Sequence, residues 1–98
     1  MKERTSIGPD GRVAAARHVR CRRFGDDLVM VDLEGGEYFA LDTVGARMWD
    51  SLVSGNTPAE VAVALSTEYE ADEDEILRDC TKLAAELLKR GLVVVREP

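Results

Sequence analysis

The sequence predicts an α+β domain: a three-stranded antiparallel sheet followed by three helices, in a winged helix-turn-helix-like order. Three observations predict it. Short runs of branched and aromatic residues separated by Gly and Asp turns occupy the amino-terminal part, and capped segments with helical apolar spacing occupy the rest. The two patterns do not interleave, which separates this chain from alternating βαβ units. The turns between the strand runs are too short for parallel crossovers, so the strands form a meander. At 98 residues, 45% apolar and 33% charged, the chain has material for one core and little more.

Residues 1–11 carry Gly8, Pro9 and Gly11 among polar neighbours without periodicity and read as a mobile arm, leaving 12–98 as a single domain. Within 13–24, Val19, Cys21 and Arg23 alternate with Arg20 and Arg22, the pattern of a first strand. Gly25-Asp26-Asp27 turns the chain into 28–33, Leu-Val-Met-Val-Asp-Leu, a second and well-buried strand. Glu34-Gly35-Gly36 reverses it again, and 37–41, Glu-Tyr-Phe-Ala-Leu, is the third.

Asp42 or Thr43 caps a first helix over 44–53, with Val44, Met48, Trp49 and Leu52 to one side and a stop near Gly55. Thr57-Pro58-Ala59-Glu60 is a capping box with proline at the first helical position, opening a second helix over 58–68 that buries Val61, Ala62, Ala64 and Leu65. Asp72 caps a third helix reaching about Arg90. Ile76, Cys80, Leu83 and Leu87 recur at i, i+4, i+7 and i+11, with Leu77, Ala84 and Leu88 beside them. Lys89 and Arg90 carry the sign favoured at a helix end, Gly91 stops it, and 92–95 is a short strand or extended tail.

The net charge of −6 opposes binding to a phosphate backbone, although Arg12, Arg17, Arg20, Arg22 and Arg23 make the first quarter basic. No apolar run approaches the roughly 20 residues of a membrane span, and the first residues lack a signal peptide's apolar stretch, so a cytoplasmic protein without membrane contact is expected. Cys21 and Cys80 lack metal-ligand spacing and are expected as half-buried reduced thiols. His18 is expected to be exposed and idle. The carboxylates of 68–75 lack the glycine and ligand alternation of a calcium loop and read as a solvated helix start. No metal, cofactor or catalytic constellation is predicted, so the chain reads as a non-enzyme.

Asp50-Ser51-Leu52 resembles the phosphopantetheine site of acyl carrier proteins. In those proteins the serine opens a helix, whereas Ser51 falls late in this one, and the three strands have no counterpart there. A small winged-helix nucleic-acid or transcription factor is the principal alternative, yet its recognition helix would open on Glu73, Asp74 and Glu75, with Arg78, Lys82, Lys89 and Arg90 only later. The third strand carries aromatics and neither proline nor lysine to blunt it. Either an extended peptide adds there, or Tyr38 and Phe39 are core and another element covers the edge.

Three segments bear on that choice: Gly-Gly-Glu-Tyr-Phe-Ala-Leu-Asp-Thr-Val-Gly-Ala-Arg-Met-Trp at 35–49, Ser-Gly-Asn-Thr-Pro-Ala-Glu-Val at 54–61 and Leu-Leu-Lys-Arg-Gly-Leu-Val at 87–93. Together they resemble the PqqD family, recognition elements of pathways that modify ribosomally made peptides (RiPPs), over about 13–95. The resemblance implies a winged-helix-like domain that binds a precursor's leader segment between its third strand and third helix and presents the core to modifying enzymes. A free-standing chain of this size is similar to the discrete leader-binding components of lasso-peptide systems, whose partners are a leader peptidase and a cyclase. PqqD itself serves pyrroloquinoline quinone synthesis. Carried onto this sequence, Glu37, Tyr38, Phe39, Ala40 and Leu41 would offer backbone partners. Asp79, Lys82, Leu83, Glu86 and Arg90 would line the helical side, with Leu83 in an apolar pocket. Arg78, Thr81, Ala85 and Leu88 form the alternative flank, and Leu41, Val44 and Trp49 are assigned to core.

Overall fold

The computed structural model describes residues 7–96. Its elements are β1 (Val13–Ala15), β2 (Val19–Phe24), β3 (Asp27–Asp32), β4 (Tyr38–Leu41), α1 (Thr43–Val53), α2 (Pro58–Glu68), α3 (Glu73–Lys89) and β5 (Val93–Val95). β2, β3 and β4 form an antiparallel three-stranded sheet in that order, and β1 pairs with β5 in a separate antiparallel ribbon. The α+β class, the meander and the three helices are thus as expected.

The first predicted strand differs, because 13–24 divides. Val13 is fully buried against the ribbon, and the Ala16 N–H donates to the Leu92 carbonyl at 3.0 Å. The chain must therefore leave β5 before it can begin pairing with β3. The carboxyl-terminal stretch becomes a paired strand rather than a loose tail for the same reason.

The predicted arm also divides. Residues 1–6 lie outside the described part, but Ile7 is buried and the Pro9 carbonyl accepts the Ala59 N–H at the start of α2. Apolar burial and a backbone hydrogen bond fasten this segment to the domain before Gly11 is reached.

Each helix begins on a satisfied cap. The Asp42 carboxylate accepts the Gly45 N–H; Thr57 and Glu60 exchange the two bonds of a capping box; the Asp72 carboxylate accepts the Asp74 N–H. The three helices bury Met48, Trp49, Leu52, Val61, Leu65, Ile76, Cys80 and Leu87 against Leu28, Met30 and Leu41 of the sheet. Helix and sheet thus share one core, and that core fixes how α3 lies relative to β4.

Five side chains depart from expectation. Val44 is 39% exposed rather than core, since it lies in the first turn of α1 at the rim of the helical layer. Ala64 is exposed, one position off the face that buries Val61, Ala62 and Leu65. Cys21 is exposed and Cys80 fully buried, so neither is half-buried; both thiols are free, and burial pushes the Cys80 pKa up to about 12. His18 is half-buried, with Nε2 3.6 Å from Asp32 Oδ1 and Nδ1 3.8 Å from Glu34 Oε1.

Candidate peptide-binding site

The site is built on the hairpin between β3 and β4. Asp32, almost fully buried, organises the turn: its Oδ1 accepts the Glu34 and Gly35 N–H groups at 2.9 Å each, and its carbonyl accepts the Gly36 N–H at 2.7 Å. The Gly35 bond, then that from Glu34, and then the nearby His18 hold the Asp32 carboxyl below its ordinary pKa of 3.8. A side chain at Gly35 would place its Cβ 2.7 Å from Asp32 Oδ2, and Gly36 has φ +72°, so both glycines are required by this turn.

The register then decides which backbone groups of β4 are free. The Asp32 N–H donates to the Glu37 carbonyl at 2.9 Å, making Asp32 and Glu37 a hydrogen-bonded pair. In an antiparallel ladder such pairs alternate with non-bonded ones. Met30 with Phe39 and Leu28 with Leu41 are therefore bonded, whereas Val31 opposite Tyr38 and Val29 opposite Ala40 are not. Tyr38 and Ala40 consequently point their N–H and C=O groups away from β3, along an edge with which no strand pairs among the described residues. Of the five residues expected to offer backbone partners, these two have them to offer. Glu37 and Phe39 face inward, and Leu41 also buries its side chain.

Across from this edge lies α3. The Arg90 guanidinium stacks 4.9 Å from the Phe39 ring centroid, and its Nε donates to Glu86 Oε2 at 2.6 Å. A narrow crevice there is lined by Asp32, Glu37, Tyr38, Phe39, Arg90 and Leu92. Further along, a hollow of about 300 Å³ is lined by Asp42, Val44, Gly45, Met48, Asp79 and Leu83. Asp79, Leu83 and Arg90 thus stand on the flank of α3 that faces β4 and the start of α1, with Glu86 held to Arg90. Lys82 is exposed and lines neither depression. On the alternative flank, the Thr81 hydroxyl donates to the Leu77 carbonyl, and Leu88 borders a larger depression of about 430 Å³ against β5. That depression does not reach Tyr38, a residue with free backbone groups, whereas the narrow crevice does.

Sequence reasoning missed Asp32, Asp42, Val44 and Met48 as parts of this surface. The i, i+4 spacing of Val44 and Met48 was a helical signal, but it does not distinguish a core face from the wall of a groove. Ser51 sits near the end of α1, where its hydroxyl accepts the Asn56 side-chain amide at 3.0 Å, a position unlike the helix start of a carrier protein. No group of His, Cys, Asp and Glu suited to a metal occurs among the described residues.

The model of the family described as coenzyme PQQ synthesis protein D (PqqD) matches residues 27–93. The chain belongs to the PqqD family. Three solved structures share its fold. TbiB1, in complex with the TbiA(β) leader peptide, is 31% identical with a TM-score of 0.75, covering 82% of this chain and 93% of its own. A lasso peptide synthetase B1 complexed with the leader peptide is 26% identical with a TM-score of 0.78, covering 85% and 98%. The PqqD truncation of Methylobacterium extorquens PqqCD, a stand-alone RiPP recognition element, is 23% identical with a TM-score of 0.76, covering 91% and 95%. No curated protein matches the chain. The relatives TbiB1 and the lasso synthetase B1 are solved in complex with leader peptides.

Proposed function

We propose that this protein is a non-catalytic adaptor that binds the leader segment of a ribosomally made precursor and delivers it to modifying enzymes, a lasso-type leader peptidase and cyclase in the first instance. The leader adds as a further strand on the outer edge of β4. Tyr38 and Ala40 supply the main-chain hydrogen bonds, while Phe39, Leu83, Asp79, Glu86 and Arg90 meet its side chains. The observation that carries this reading is the open edge at Tyr38 and Ala40 lying alongside α3, in a family whose relatives TbiB1 and the lasso synthetase B1 are solved with leader peptides. Main-chain pairing supplies affinity that tolerates sequence change, and the flanking side chains supply selection among leaders.

The test is fluorescence anisotropy of a labelled leader from the precursor encoded beside this protein. A Kd of about 1 μM or tighter, worth about 8 kcal/mol, is expected. Ala40→Pro removes the outward N–H without costing a bond to β3, so it should weaken binding about 100-fold or more while leaving the circular dichroism spectrum unchanged. Undiminished affinity in folded Ala40→Pro protein would contradict strand addition. A protein that binds duplex DNA in preference to any leader would favour the winged-helix transcription-factor alternative.

A further inference from the structure

Beyond the end of β4, between the starts of α1 and α3, lies a second hollow that strand addition alone leaves without an occupant. Val44, Met48 and Ile76 make its apolar floor, Tyr69 stands beside them, and Glu75 and Asp79 form the rim around a volume of about 210 Å³. It shares Val44, Met48 and Asp79 with the hollow beside Leu83, so the two adjoin.

The surroundings define what fits. Glu75 and Asp79 lie one turn apart on α3, a like-charge arrangement that weakens a helix, and neither takes part in an ion pair among the described residues. Val44 at 39% and Tyr69 at 38% leave apolar and aromatic surface open directly beside these carboxylates. An anionic side chain would be repelled here, and a short apolar one would cover the floor while desolvating two charges without compensation. A long apolar stem ending in a cation satisfies both parts, its methylenes on the floor and its head at the carboxylates, with the Tyr69 ring adding attraction for the charge.

We propose that this hollow receives a lysine or arginine side chain of the bound leader, its stem on Val44, Met48 and Ile76 and its charged head between Glu75 and Asp79. The proposal rests on the leader-binding reading and adds the chemical class of residue that the leader must carry. It makes the third helix a charge filter as well as a wall: leaders with an acidic or short apolar side chain at that position pair with β4 but bind weakly.

The experiment titrates the same labelled leader into the unaltered protein, Ala40→Pro, the double variant Glu75→Gln/Asp79→Asn and the reversed variant Glu75→Lys/Asp79→Lys, each at low and high salt. The neutral double variant should bind about tenfold more weakly at low salt, with a flattened salt dependence. The reversed variant should bind more weakly still, and should regain affinity when one particular lysine or arginine of the leader is replaced by glutamate. Binding of both variants within about twofold of the unaltered protein, with the same salt dependence, would overturn the inference. Loss of binding in Ala40→Pro alongside that result would leave strand addition standing, whereas failure of the unaltered protein to bind any leader removes the reading beneath both.

Discussion

The two outer edges of the three-stranded sheet are made of the same backbone and treated in opposite ways. On β2, register leaves Val19, Cys21 and Arg23 with outward N–H and C=O groups, since the Leu33 N–H donates to the His18 carbonyl and sets the bonded pairs one residue over. That edge is lined with arginines. The Arg20 guanidinium donates to the Arg17 and Val19 carbonyls at 2.8 and 3.0 Å, and Arg23 pairs with Asp50 of α1. Charged side chains and occupied carbonyls are how sheets discourage an incoming strand. On β4 the outward residues are Tyr38 and Ala40, without a charge between them, and α3 runs alongside. The contrast teaches that openness at β4 is selective, because the other edge of the same small sheet is lined with charge.

The comparison is broken most severely by removing what both edges rest on. Met30 is fully buried and lies opposite both Cys21 of β2 and Phe39 of β4, so Met30→Ala should cost about 2–5 kcal/mol in urea unfolding. A paired proline test separates the edges: Ala40→Pro should weaken leader binding about 100-fold or more, near 2.7 kcal/mol, while Cys21→Pro at the matching outward position of β2 leaves the Kd within about twofold. Arg90→Ala removes the cation stacked on Phe39 and should weaken leader binding about fivefold, near 1 kcal/mol, with little change in unfolding midpoint.

The smallest effect is on the turn that holds β4 in place. Because the Asp32 carboxyl is held below its ordinary value, its contribution to stability is present above about pH 4 and is lost as pH falls through the lower, folded value. The urea midpoint should therefore drop on acidification below about pH 4, and Asp32→Asn should reduce that dependence without abolishing it, since Glu60 and Glu68 are lowered as well by the Thr57 N–H and by Arg47.

Much of this architecture was legible before any coordinates. The Thr57 capping box, the Asp72 cap and the Gly91 stop are local signals, and local chemistry decides helix ends. The third strand was legible to within one residue, from two glycines and an aromatic pair. What sequence did not convey was non-local. Nothing in Val13-Ala14-Ala15 says that its partner is Val93-Val94-Val95, about 80 residues away in the chain, so 13–24 reads as one strand where there are two. Nor does an apolar side chain at helical spacing declare whether it faces core or groove. Val44 follows the same periodicity as Met48 and Leu52, yet it sits where the first turn of α1 leaves the core, and only the placement of α3 turns it into the wall of a hollow. The direction of the free backbone groups was equally hidden, because it depends on one hydrogen bond, from Asp32 to Glu37, that sets the phase of the whole ladder.

The central claim is that a leader adds at the β4 edge and not at the β2 edge. Residue-resolved amide hydrogen exchange, with and without saturating leader peptide, tests it most directly. The Tyr38 and Ala40 amides should exchange freely in the unbound protein and slow markedly in the complex, while Cys21 and Arg23 stay unchanged. Protection appearing at Cys21 and Arg23 instead, or at neither edge while the peptide is demonstrably bound, would contradict the claim.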